Sequence, residues 1–185
     1  LFDVGRRPQE GAGYEPVTTM AAVAAVTSRI GVIGTLSTSF VEPYDAARYL
    51  ASVDHLSGGR AGWNIVTSVV GGQNYGIELP PKAERYRRAR EHVAATKAFW
   101  DAWADDAVVI DRDDGTWARA ERIDAVNFEG EFVRLSGAGP LASHRSPQGW
   151  PVLAQAGQSD DGRDFAAETA EVIFTSQNSV ALATA

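Results

Sequence analysis

Short, mostly uncharged, β-branched runs alternate along this chain with amphipathic helical stretches, and that alternation limits the fold more than any other feature. Residues 30–38 (IGVIGTLST) and 60–68 (RAGWNIVTS) read as strands buried on both faces, and 151–156 (PVLAQA) and 171–176 (EVIFTS) as two further strands. Residues 15–29 place Val17, Met20, Ala21 and Ala24 at three- and four-residue spacing, with Pro16 suited to a first helical turn. Pro43 opens a second helix that carries Ala47, Leu50, Ala51 and Asp54 on successive turns and closes at Ser57-Gly58-Gly59. A third helix over 83–103 stacks Ala89, Val93, Thr96, Trp100 and Trp103 on one stripe; a fourth covers 159–170, and another begins at 179. Strands that alternate with helices make a parallel sheet covered by helices, so the chain is α/β. Residues 105–148 break the rhythm with acidic pairs, Gly and Pro, and read as an irregular insertion with a small hairpin at the alternating run 131–135.

Four strands suit either a small open sheet or half of an eight-stranded barrel, and periodicity alone leaves both open. The chain begins at Leu1 and stops at Ala185 inside a helical stretch, so a piece of a larger protein is expected, which favours the half barrel. Its 185 residues form a single partial domain, 1–185. A net charge of −7 argues against nucleic acid as a partner. The absence of cysteine excludes disulfides, thiolate catalysis and Cys-ligated metals. The longest uncharged stretch, 61–77, is too rich in Gly, Asn, Thr and Ser to span a membrane, and no signal peptide opens the chain. A cytoplasmic location is the expectation.

In parallel α/β proteins, ligands gather where strands end and helices begin. Those ends are polar here: Thr35, Ser37 and Thr38; Asn64, Thr67 and Ser68; Gln155, Gly157, Gln158 and Ser159; Thr175, Ser176 and Gln177. Any one of these hydroxyls is an ordinary helix cap. Four such ends on one rim suit a polar ligand held by many hydrogen bonds. The segment AGQSDDGR at 156–163 joins a strand to a helix through glycine, as an anion site would, although Asp160 and Asp161 add negative charge or point to solvent.

Other chemistries lack their motifs: there is no G-x-S-x-G elbow, no dinucleotide fingerprint and no P-loop. The three histidines are far apart in sequence. His55, at a helix end, reads as a capping or packing residue, His92 as a solvated residue on an exposed helical face, and His144 as part of the insertion. Asp111, Asp113, Asp114 and Gly115 hint at a calcium loop, but the spacing fits a surface turn. Phe99, Trp100 and Trp103 read as core or subunit interface.

Six segments carry a resemblance: YEPVT at 14–18, STSF at 37–40 followed by Glu42-Pro43-Tyr44, DHLSGGRAGWNIVTS at 54–68, ERY at 84–86, QAGQS at 155–159 and VIFT at 172–175. Together they resemble the bacterial-luciferase-like flavin monooxygenases, in the branch of the nitrilotriacetate, dibenzothiophene-sulfone and long-chain alkane enzymes. The resemblance implies a TIM-type (β/α)8 barrel, of which this chain supplies the second helix through the sixth strand. It also implies a two-component enzyme in which a separate flavin reductase supplies reduced FMN. Reaction with O2 then gives a C4a-hydroperoxide that oxygenates a small organic substrate, in a homodimer or higher homo-oligomer.

Carried over by position, Thr35 and Ser68 match flavin contacts, Asn64 approaches the ring, and Tyr86 matches a phosphate contact. Gln158 and Ser159 match the phosphate loop, in agreement with the anion site read above. Asp3, in the stub Leu1-Phe2-Asp3, matches the flavin-contacting aspartate of the barrel's second strand. Lys82 stands where many relatives have histidine. Val69 replaces a histidine of the alkane enzyme, so no catalytic base is assigned, and the loop 69–81 is shorter than usual. The alternatives are a flavin- or deazaflavin-dependent reductase on the same barrel, or an inactive truncated piece. The walls that select substrate are expected in 105–148 and in segments outside this chain.

Overall fold

A computed structural model of the chain describes residues 13–175. Asp3, Ser176, Gln177 and the helix expected from 179 lie outside the described residues. In chain order the elements are α1 (Pro16–Val26), β1 (Val32–Ser37), α2 (Pro43–Ser57), β2 (Ala61–Val66), α3 (Lys82–Asp101), β3 (Val126–Glu129), β4 (Arg134–Ala138), β5 (Val152–Gln155), α4 (Asp160–Thr169) and β6 (Val172–Ile173). Short 3₁₀ turns lie at Gly72–Tyr75 and Ala120–Arg122. β1, β2, β5 and β6 form one parallel sheet in that order, while β3 and β4 pair antiparallel in a separate hairpin.

The helix ends follow from local chemistry. Pro16 opens α1, and the Glu15 carboxylate accepts from the free amides of Val17 and Thr18 at 2.9 and 2.7 Å. α2 stops where Gly58 turns left-handed at φ 65°, a conformation that penalises any residue with a Cβ.

One face of the sheet is covered by helices. Leu36, Trp63, Ile65 and Leu153 pack there against Ala46, Ala47 and Leu50 of α2 and Ala89, Val93 and Trp100 of α3. Alanine on the helices lets backbone approach sheet, and two indoles exploit this closeness: Trp63 Nε1 donates to the Leu36 carbonyl at 3.0 Å and Trp100 Nε1 to that of Ala47 at 3.1 Å. Phe99, Trp100 and Trp103 are all buried, so of the two roles expected for them the core is the one seen.

One expectation is corrected. β1 is not buried on both faces: Val32 and Leu36 are buried, whereas Ile33 is 49% exposed and Thr35 is also exposed. The register puts Ile33 and Thr35 on the same side as Asn64, opposite the helices, and no helix among the described residues covers that side. The small hairpin expected in the insertion is present as β3 and β4, with the run 131–135 at its turn. Gly130 N–H donates to the Val133 carbonyl at 2.9 Å, so 130–133 is the hairpin turn and only Arg134 and Leu135 enter β4. The cause lies on α3, where the Glu91 carboxylate collects the amides of Glu131, Phe132 and Val133 at 2.9, 2.7 and 3.0 Å.

Candidate functional site

The two ends of the sheet are built differently, and the segment 54–68 contributes to both. At the end where strands begin, the Asp54 carboxylate is fully buried and accepts from Ala61 N, Gln148 N and Gln148 Nε2 at 3.3, 3.0 and 2.5 Å. His55 Nε2 donates to the His144 carbonyl at 3.0 Å with the rings edge to face at 4.6 Å, so these two histidines, far apart in sequence, meet here in a packing role. The Arg60 guanidinium donates to Ser57 O, Ile30 O, Thr27 Oγ1, Ala24 O and Thr27 O, which occupies all its N–H groups. The insertion leaves the C-terminal end of α3 and leads into the start of β5, and Arg145 near its close donates to the Trp100 carbonyl.

At the opposite rim, Thr35 and Asn64 are register partners, and Asn64 Nδ2 donates to Thr35 Oγ1 at 2.9 Å on the helix-free face. Two residues beyond Thr35 and four beyond Asn64, the Ser37 and Ser68 hydroxyls lie 2.7 Å apart. Directly beyond Ser68, Val69, Gly72, Gln73, Ile77 and Leu79 line a cavity of about 590 Å³. Three of the expected flavin contacts, Thr35, Asn64 and Ser68, therefore share one patch of rim.

A second cluster stands where β5 ends. Ser159 caps α4, its Oγ accepting from Gly162 N at 3.3 Å, and Gln158 precedes it in an exposed position. The Gln155 side chain is buried and accepts from Gly157 N–H, which fixes the turn. Gly157 and Gly162 press backbone to backbone: a methyl added at Gly162 would stand 2.9 Å from Tyr86 Oη and 3.0 Å from Gly157. Tyr86 reaches this point from α3, 7% exposed, with its ring edge-on to Phe165 at 5.8 Å. The two acids of the first turn are both countered, Asp160 by Arg163 at 2.6 Å and Asp161 by Lys82 at 2.7 Å. Both first-turn acids of α4 are thus paired, and Tyr86, Ser159 and the two glycines surround that turn.

The structure corrects the expectation for His92. It is 4% exposed, Nε2 donates to the Val41 carbonyl at 2.7 Å, and burial pushes its pKa down to about 4. The 38–43 loop and the hairpin tip cover that face of α3, and with Ser39, Phe40, Tyr75, Arg88 and Phe132 it lines a cavity of about 230 Å³. Its spacing from Ala89 and Thr96 matches the buried stripe, a signal available in the sequence. Glu91 had no such signal, because its partners are backbone amides; they hold its carboxyl below the ordinary glutamate value against the opposing effect of burial. The Asp111–Asp114 run is a surface turn in which Asp111 and Asp114 accept from the amides of Asp113 and Thr116. Among the described residues no helix is long and apolar enough to cross a membrane.

Residues 4–185 match the family described as luciferase-like monooxygenase. N-acetyl-S-(2-succino)cysteine monooxygenase of Bacillus subtilis (strain 168) is 45% identical over 168 residues, which cover 89% of this chain and 38% of that protein. Nitrilotriacetate monooxygenase component A of Aminobacter aminovorans is 42% identical over 170 residues, 90% of this chain and 37% of its own. A riboflavin lyase crystallised with modified FMN and riboflavin superposes with a TM-score of 0.85 at 35% identity, over 91% of this chain and 38% of that one. The chain therefore spans less than two fifths of the length of these relatives. Its parallel sheet with one helix-covered face is the central part of a TIM-type barrel, and the chain belongs to the luciferase-like monooxygenase family.

Proposed function

We propose that this chain is the flavin-holding middle of a two-component monooxygenase. Reduced FMN from a separate flavin reductase and O2 would be used to oxygenate a small organic substrate, within a homodimer or higher homo-oligomer. The observation that carries this reading is the cradle at α4. Tyr86 Oη, the Ser159 cap and the close-packed glycines Gly157 and Gly162 meet beside a helix N-terminus whose two acids are paired with Lys82 and Arg163.

In this reading the FMN phosphate rests on Tyr86, Ser159 and the adjoining Gln158, and the ring lies along Thr35, Asn64 and Ser68. Bound reduced flavin supplies the electrons that activate O2, chemistry that belongs to the cofactor. The chain's part is to bind and orient. The Asn64–Thr35 bond fixes a polar edge on the helix-free face, and Ser37 holds the Ser68 hydroxyl at the rim. Val69, Ile77 and Leu79 put apolar surface beside that rim, where it keeps water from the reacting centre. Asp3 is the remaining proposed contact, outside the described residues.

The test is an anaerobic calorimetric titration of the chain with photoreduced FMN. Saturable binding that weakens in Ser159→Asp and Tyr86→Phe is the expected result. Binding that ignores both substitutions would overturn the placement of the phosphate, and no saturable binding would overturn the flavin reading of this chain.

A further inference from the structure

Of the four arginines on α3, three reach an oxygen. Arg85 donates to the Pro80 carbonyl at 2.6 Å, Arg87 pairs with Glu131 at 3.1 Å, and Arg90 grips Glu168 at 2.6 Å. Arg88 has a ring instead, its guanidinium 5.3 Å from the centroid of Phe132. Among the described residues no carboxylate or carbonyl accepts from it.

A second charge is left over in the same way. α1 and α2 both open on Glu-Pro, yet only the first glutamate caps its helix. The Glu15 carboxylate turns back onto Val17 N and Thr18 N, whereas the Glu42 carboxylate takes no amide of α2. It thereby forgoes a bond that helix N-termini ordinarily gain, and among the described residues it has no cation either.

Both unpaired charges line the cavity of about 230 Å³ over His92, and they do not pair with each other. The rest of that lining is largely apolar. Phe40 and Tyr75 stack there with their centroids 4.2 Å apart, opposite the chain segment that carries Phe132 and Val133. The walls are fixed in advance: Glu91 holds the amides of Phe132 and Val133, and His92 Nε2 is spent on the Val41 carbonyl. At a volume below the roughly 300–1,000 Å³ of drug-sized ligand sites, the occupant is small. It should carry one negative group, one positive group and an apolar body.

The geometry points to a second binding site here, for a free α-amino acid with an aromatic or large apolar side chain: its carboxylate meets the Arg88 guanidinium, its ammonium meets the Glu42 carboxylate, and its side chain lies against Phe40, Tyr75 and Phe132. None of Thr35, Asn64, Ser68 or Tyr86 lines this cavity, so the site stands apart from the flavin reading.

The experiment titrates three ligands into the 185-residue chain by calorimetry. They are L-phenylalanine, N-acetyl-L-phenylalanine, which lacks the ammonium, and L-phenylalaninamide, which lacks the carboxylate. A buffer of about pH 6 keeps free amines charged, below the ordinary α-amino range. L-phenylalanine should bind saturably, and each analogue about tenfold more weakly, the scale of one hydrogen bond to a charged group. Glu42→Gln should erase the advantage of L-phenylalanine over the N-acetyl analogue, and Arg88→Gln its advantage over the amide. Losses equal for all three ligands would overturn the inference in favour of a merely structural role for the two side chains. An N-acetyl analogue that binds the parent chain as well as L-phenylalanine would overturn it in favour of a site for plain carboxylates. Advantages that survive both substitutions would overturn the placement, and no saturable binding of L-phenylalanine would overturn the site itself.

Discussion

The two ends of the sheet solve opposite problems. Where the strands begin, charged groups are fully partnered: the buried Asp54 holds Gln148 and Ala61, and the half-buried Arg60 spends every N–H on the carbonyls and hydroxyl around it. Where they end, short side chains prevail. Hydroxyls at 35, 37, 68 and 159 line the rim, and the glycines at 157 and 162 let two backbone segments and Tyr86 pack closely. The 54–68 segment runs from one end to the other, so the part richest in distinctive residues, DHLSGGR, is a fastening, and only Asn64 and Ser68 reach the rim. A specific motif marks the family without every residue of it marking the site.

The comparison breaks if the fastening end carries binding or the open end carries stability. The largest effect is expected from Asp54→Ala, which strands the Gln148 amides and Ala61 N–H; about 3–5 kcal/mol should be lost in urea unfolding, with the flavin affinity of the folded chain unchanged. An Asp54→Ala chain that kept its urea midpoint but lost flavin would reverse the assignment of the two ends.

Acid titration probes the covered face of α3 between them. His92 is neutral when folded, with a pKa of about 4, against about 6.5 in an unfolded chain, so the unfolded state takes its proton first. Stability should therefore fall as pH drops through 6.5 towards 4, by up to about 3 kcal/mol, and His92→Gln should flatten that limb of the urea-midpoint curve.

Two glycines sharpen the contrast further. Gly162→Ala should weaken reduced-FMN binding by about tenfold (~1.4 kcal/mol), because its methyl meets Tyr86 Oη and Gly157. Gly58→Ala meets nothing within 4 Å but sits at φ 65°, so it should cost about 1–2 kcal/mol of stability and no affinity. The smallest effect belongs to Ser159→Ala: the cap bond is worth about 1 kcal/mol in thermal unfolding.

Much of this was legible in the residues because it is periodic or local. Helix and strand order followed from apolar spacing, the stop at Gly58 from turn chemistry, and the tight turn into α4 from a glycine-bearing strand-to-helix junction. What stayed hidden depends on distant covering. Ile33 and Thr35 are uncharged like their neighbours, and only the layout of helices decides which side of β1 is covered. His92 is buried by a loop and a hairpin that come from elsewhere in the chain. Glu131–Leu135 alternates as a strand should, yet Glu91 captures its amides and makes a turn of it. The ion pairs that neutralise Asp160 and Asp161 illustrate both cases, since Arg163 lies one turn away and Lys82 lies on another helix.

Arg60 also bears on the order of assembly. The last carbonyls of α1, at Ala24 and Thr27, are satisfied by a guanidinium 36 and 33 residues downstream. The helix has no left-handed glycine to finish it; the capping residue Thr27 is extended. A nascent chain that has reached only β1 therefore holds α1 with a frayed last turn. Completion waits for α2 to form and swing β2 into register, when one side chain ties helix, strand entry and loop in a single event. Amide exchange at the end of α1 should accordingly report the docking of β2, making the α1–β2 unit one cooperative block rather than a helix with a sheet added later.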